Sequence, residues 1–132
     1  MAGSNLAYTV HFYAGTHGFF LRSMIKLAMD SGAAVFCSEW GTSEASGNGG
    51  PFLDKADEWL SFLDSLGVSW VNWSLCDRNE TSAAFRPGAF AGDPSYAPNA
   101  KGADGSPAWA AQDLSKSGAY VRAKMRGEVP PR

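Results

Sequence analysis

The sequence predicts an α/β fold on a parallel sheet, and three observations carry that prediction. β-Capable and helical segments alternate in the order β-α-β-α-β; the middle β segment, Ala33 to Cys37, is a continuous apolar run; and polar residues collect where each strand ends. Consecutive parallel strands need a crossover long enough to hold a helix, so this alternation implies right-handed βαβ units.

The first strand spans Leu6 to Tyr13, with Tyr8, Val10 and Phe12 on one parity and Thr9, His11 and Tyr13 on the other. A glycine-punctuated loop, Ala14 to Gly18, leads into a helix over Phe20 to Met29. Its apolar stripe is Leu21, Met24, Ile25, Ala28 and Met29, and Gly32 supplies the cap. Ala33 to Cys37 then reads as a strand buried on both faces. It runs into Ser38, Glu39, Trp40 and Gly41, the last a residue that permits a sharp turn. After a polar loop over Thr42 to Gly50, a second helix occupies roughly Phe52 to Ser65, with Phe52, Ala56, Trp59, Leu60 and Leu63 as its stripe and Gly67 beyond its end. Val68 to Leu75 is the third strand.

Beyond it, 76–107 is rich in Ala, Gly, Asp, Asn and proline, which predicts an extended surface loop. A terminal helix falls within 114–126, best read as Ser117 to Arg126 with Ser117 as N-cap and Tyr120, Val121 and Met125 turned inward. Gly127 to Arg132 reads as a tail. The chain is thus one domain, 1–132, with its core over 6–75.

Composition narrows the function. A hydrophobic share of 45% with 18% charged residues describes a packed globular protein. The net charge of -2 points away from nucleic acid and membrane surfaces, and no apolar run is long enough to span a bilayer. Nor does the N-terminus carry a signal-peptide pattern. Cys37 and Cys76 are too few for a zinc site and read as buried free thiols. No metal or other cofactor is implied; His11 and His17, six apart across a loop, read as hydrogen-bonded histidines rather than ligands. Five Trp, four Tyr and eight Phe suit a protein that stacks flat apolar faces.

Parallel neighbours bring their C-terminal ends to one rim, where α/β folds place chemistry. Here that rim carries His11 and Tyr13, then Glu39 and Trp40, then Asn72 and Trp73. Each has an ordinary structural explanation alone: a solvent-facing glutamate, a satisfied histidine, a core tryptophan. Together they are what sugar hydrolysis needs, since pyranose rings stack on indoles while a carboxylate faces an oxocarbenium-like transition state.

The segments YTVHFYAGTHG (8–18), SEWGTSEASGNGGPFLD (38–54) and SWVNWSLCDRNETSAAFRPGA (69–89) closely resemble the C-terminal part of bacterial glycoside hydrolase family 5 endoglucanases, the Bacillus-like cellulases. The resemblance runs from Leu6 to Ala89 and resumes over Leu114 to Arg126. It implies a partial (β/α)8 TIM barrel comprising strands six to eight, and a retaining endo-β-1,4-glucanase acting outside the cell on cellulose or cello-oligosaccharides. By the same resemblance Glu39 is the nucleophile and His11 and Tyr13 support it. Trp73 stacks on the sugar, and the bond after it is cis. Trp40, Ala45, Arg78 and Glu80 are assigned to substrate binding, the last three at more distant non-reducing-side subsites. The family's Asn-Glu-Pro acid/base motif does not occur, Asn79-Glu80-Thr81 is not it, and Glu44 and Asp77 are weak substitutes.

The alternative is a catalytically impaired β-glucan-binding fragment; a related mannanase or xylanase is a third, less favoured reading. A three-stranded remnant would leave two strand edges and an apolar inner face open, so either a homo-oligomer or a complementing N-terminal barrel part is expected to cover them.

Overall fold

The computed structural model describes residues 5–89 and 111–131. Three strands, β1 (Ala7–Tyr13), β2 (Ala34–Gly41) and β3 (Trp70–Asn72), form one parallel sheet in sequence order, joined through α1 (Phe19–Asp30) and α2 (Leu53–Ser65). A helix α3 (Lys116–Met125) closes the described chain. The expected alternation is therefore present. The third strand is shorter than Val68 to Leu75, because the chain leaves the sheet at Trp73 and turns through a cis Trp73–Ser74 bond. Gly50–Pro51 is also cis.

The core lies on one side of the sheet. Phe12 from β1 and Cys37 and Trp40 from β2 pack against Ala56, Trp59, Leu60 and Leu63 of α2, Ile25 of α1, and Tyr120 and Val121 of α3. Rings organise it: Phe12 stacks on Trp59 at 4.1 Å between centroids and on Trp40 at 5.4 Å, and Trp70 meets Trp40 edge-on at 5.5 Å. Both long helices end with glycine in the left-handed region, Gly32 at φ 87° and Gly67 at φ 67°, as the sequence predicts.

The opposite face of the sheet is bare. Ala34 is exposed, Phe36 is 39% exposed, and Val71 is exposed as well. This corrects the reading of Ala33 to Cys37 as buried on both faces: among the described residues, helices cover one side only and no element reaches the other. The edge beyond β3 is open too, as an apolar groove of about 640 Å³ lined in part by Trp70, Val71, Leu75, Leu114, Val121 and Met125. On α1, Met24 is exposed rather than packed, forming with Phe20 and Leu27 a second apolar stripe turned away from the sheet.

Two further expectations are corrected near the C-terminus. The N-cap of α3 is Ser115, whose hydroxyl accepts the Gly118 N–H at 3.0 Å. Ser117 is instead buried, donating to the Thr81 carbonyl at 2.5 Å and sharing a 2.6 Å bond with Thr42. Met125 does not turn inward and is 72% exposed. Of the expected surface loop, 90–107 lies outside the described residues. Within the described part Ser82 to Phe85 are buried under α3, and Phe85 forms an antiparallel bridge with Leu114. Cys37 is a buried free thiol, whereas Cys76 is only half-buried.

Contact between this segment and α3 depends on Gly118, where a Cβ would stand 1.9 Å from the Ala84 carbonyl oxygen. The obstacle is backbone that also accepts the Ser115 N–H, so it cannot swing aside. Gly118→Ala is expected to cost about 3 kcal/mol through overpacking; an unchanged denaturation midpoint would show that α3 sits elsewhere.

Candidate active site

The strand ends meet at one edge of the sheet, and a β-bulge arranges what they carry. β1 and β2 pair in register up to Val10 with Cys37, then resume at His11 with Glu39, so Ser38 is an extra residue. Regular pleating would send Ser38 and Glu39 to opposite faces. The bulge puts both on the bare face, while Cys37 and Trp40 both enter the core.

Glu39 is then held from β1. The Tyr13 hydroxyl donates to Glu39 Oε1 at 2.8 Å, and His11 Nδ1 lies 3.8 Å from Oε2. His11 Nε2 is 2.8 Å from the Ser38 hydroxyl, which also bonds the Thr9 hydroxyl. Gly41 seats the tyrosine: a Cβ there would lie 2.7 Å from the Tyr13 ring. Its role is close packing under that ring rather than the sharp turn expected of it, because Gly41 continues β2. The backbone of Tyr13 is tied down as well. Its N–H donates to His17 Nδ1 at 2.9 Å, and the His17 carbonyl accepts the Trp59 indole N–H at 3.0 Å. His17 is thus a structural, hydrogen-bonded histidine.

Trp73 stands at the neighbouring strand end, 47% exposed, its N–H donating to the Trp40 carbonyl at 2.7 Å. The same carbonyl accepts the Asn72 side-chain amide at 3.0 Å. Trp40 itself is fully buried, so its assignment to substrate binding is corrected: a ring at 0% exposure stacked on Phe12 offers no face to a sugar. Its indole N–H has no partner among the described residues. Glu80 is half-buried against Gly47, accepts from the Ser82 hydroxyl at 3.3 Å, and its charge reaches Tyr13. Ala45 is exposed, its N–H donating to Thr16 at 2.8 Å, and Arg78 is exposed with its carbonyl accepting the Glu80 N–H. Of the weaker acid candidates, Glu44 is exposed and lies against Gly15 and Gly49, while Asp77 is half-buried. Among the described residues no group of three or more His, Cys, Asp or Glu side chains could hold a metal ion.

Burial, the Glu39 hydrogen bond and the nearby Glu39 and Glu80 charges push the Tyr13 hydroxyl well above its usual value of 10.0, so it remains a proton donor. Burial likewise pushes the Cys37 thiol up to about 11; its bond to the Glu39 carbonyl partly opposes that shift and the Glu39 charge adds to it. Both groups favour the neutral form in the fold, so their stabilising effect is complete below their unfolded values and is lost as pH rises through the folded ones. Stability is therefore expected to fall between pH 9 and 11 from Cys37 and further above 10 from Tyr13. Urea midpoints at about pH 8 and pH 11 should fall less in Tyr13→Phe than in the unmodified chain; equal losses would detach Tyr13 from the effect.

A carboxylate held by a phenol and an imidazole thus stands beside an exposed indole at the next parallel strand end. The sequence matches the cellulase family, glycosyl hydrolase family 5, over residues 2–79. The chain belongs to that family. It is 52% identical to Endoglucanase N of Pectobacterium atrosepticum over 122 residues, which cover 92% of this chain and 24% of that protein. Endoglucanase A of Evansella cellulosilytica is 48% identical, over 96% of this chain and 24% of that protein. The chain thus spans about a quarter of the length of the curated relatives it matches. Among solved structures, the alkaline cellulase K catalytic domain superposes with a TM-score of 0.82 at 39% identity, covering 99% of this chain and 40% of that one. A Thermobifida fusca endoglucanase solved in complex with cellotetraose does so at 0.76 and 27% identity, over 94% of this chain and 36% of that one. These neighbours are TIM-barrel cellulases, and the three strands here are a partial (β/α)8 barrel.

Proposed function

We propose that the chain carries the nucleophile-bearing part of a retaining endo-β-1,4-glucanase. The observation that supports this most is the 2.8 Å bond from Tyr13 to Glu39, which holds one carboxylate rotamer at a strand end with Trp73 just beyond the end of the adjoining strand. In this reading a glucan lies across Trp73, Glu39 attacks the anomeric carbon, and a glycosyl ester forms and is then hydrolysed. Arg78, Glu80 and the Ala45 loop take sugar hydroxyls on the non-reducing side. The second carboxylate, needed about 5 to 5.5 Å away to protonate the leaving group, comes from outside this chain. A polymeric glucan cannot enter a cell, so the enzyme acts extracellularly.

The bare inner face and open edges support the companion proposal that a complementing N-terminal barrel part, or further copies of this chain, completes the structure. A compact monomer that unfolds cooperatively in sedimentation and denaturation experiments would refute it.

The absence of Asn-Glu-Pro favours one second reading, a glucan-binding fragment without turnover. Carboxymethyl-cellulose and an activated aryl cellobioside separate the two, because an activated leaving group needs little proton assistance. The chain alone should cleave the aryl glycoside far better than the polymer, and an added N-terminal part should restore the polymer. Binding without turnover of either, even when complemented, would leave only the binding fragment.

A further inference from the structure

We propose that Ser38, backed by Thr9, is a positioning residue that fixes which ring nitrogen of His11 carries the proton. Ser38 follows the buried Cys37 onto the bare face, where its hydroxyl is 2.8 Å from His11 Nε2 and also bonded to the Thr9 hydroxyl, and the bulge adds Glu39 to the same face. His11 Nδ1 meanwhile points towards Glu39 Oε2 at 3.8 Å. A neutral imidazole has one N–H and one lone pair, and its surroundings decide which nitrogen has which. A lone pair on Nδ1 would be repelled by the carboxylate, whereas an N–H there is attracted to it. Nε2 must then accept, so Ser38 donates to it, and the Ser38 oxygen accepts from Thr9. Every proton in the series Thr9, Ser38, His11, Glu39 runs in one direction, towards the carboxylate. Reversing the series leaves the Nδ1 lone pair facing a negative charge.

The consequence for hydrolysis rests on the reading of Glu39 as nucleophile: His11 then presents a polar hydrogen to the carboxylate rather than a lone pair. The assignment of the tautomer does not rest on that reading and is tested without turnover.

His17 provides an internal contrast. Its Nδ1 accepts the Tyr13 N–H, so its proton is on Nε2. The chain has only these two histidines. In 15N spectra of the histidine-labelled chain, at a pH where both rings are neutral, one ring should therefore show the Nδ1–H pattern and the other the Nε2–H pattern. Ser38→Ala should move His11 towards the Nε2–H form that free imidazole side chains prefer, with His17 unchanged as the sign of intact folding. Ser38→Thr should restore the original pattern. If Ser38→Ala also loses the His17 signature, Thr9→Val becomes the test, and a smaller shift of His11 in the same direction is required. A wild-type His11 protonated on Nε2, or a His11 pattern indifferent to both substitutions, overturns the proposal. Loss of activity in a Glu39 variant bears on the nucleophile alone.

Discussion

Glu39→Gln is expected to reduce hydrolysis of an activated aryl cellobioside by the complemented chain about 10⁴-fold or more, the scale on which removal of a catalytic group operates. Gln is isosteric, and its amide oxygen can still accept from Tyr13, so the 2.8 Å bond that orients the side chain survives. What disappears is the negative charge that meets the oxocarbenium-like carbon and the oxygen that forms the glycosyl ester. The loss should fall on kcat, with glucan binding retained through the 47%-exposed Trp73. A Glu39→Gln enzyme within tenfold of the original would remove Glu39 from the chemistry altogether.

Trp59→Ala should have the largest effect on folding, about 3 to 5 kcal/mol, enough to unfold a marginally stable chain. Trp59 is fully buried, stacks on Phe12 at 4.1 Å with rings 13° from parallel, meets Phe62 edge-on and lies under the Arg22 guanidinium. Its indole N–H holds the His17 carbonyl, and the His17 ring holds the Tyr13 backbone. The loss would therefore reach the site through a chain of two hydrogen bonds. Trp59→Phe keeps a stacked ring and removes only the N–H, so it should cost about 1 kcal/mol from that bond, together with a small packing loss. Equal denaturation midpoints for Trp59→Ala and the unmodified chain would mean that the core is not organised on this ring.

Much of this was legible in the sequence because it follows from periodicity. The stripe Ala56, Trp59, Leu60 and Leu63 announces α2 and its buried face. The parity of β1 separates Phe12, which enters the core, from His11 and Tyr13, which do not. The bulge was not legible, since nothing in CSEWG fixes where the register slips. Without it, pleating would place Ser38 and Trp40 together on one face and Glu39 with Cys37 on the other. The extra residue sends Trp40 into the core, away from substrate, and brings Glu39 to the face that carries His11. The capping error at α3 has a similar origin: Ser115 and Ser117 are both chemically able to cap, and only the packing of Gly118 on Ala84 decides between them. The exposure of Phe36 and Val71 could not be read from the strands themselves, because an apolar strand looks the same whether or not its chain supplies the opposite wall.

The carbonyl of Trp40 receives two donors, the Trp73 amide and the Asn72 side chain, from the adjoining strand. That carbonyl lies one residue beyond Glu39 on the same strand, so the acid and the indole platform are mechanically geared through β2. In recombination between barrels of this kind, β2 and β3 would have to travel as one cassette: a crossover placed between residues 41 and 70 would join a nucleophile from one parent to a platform spaced for another.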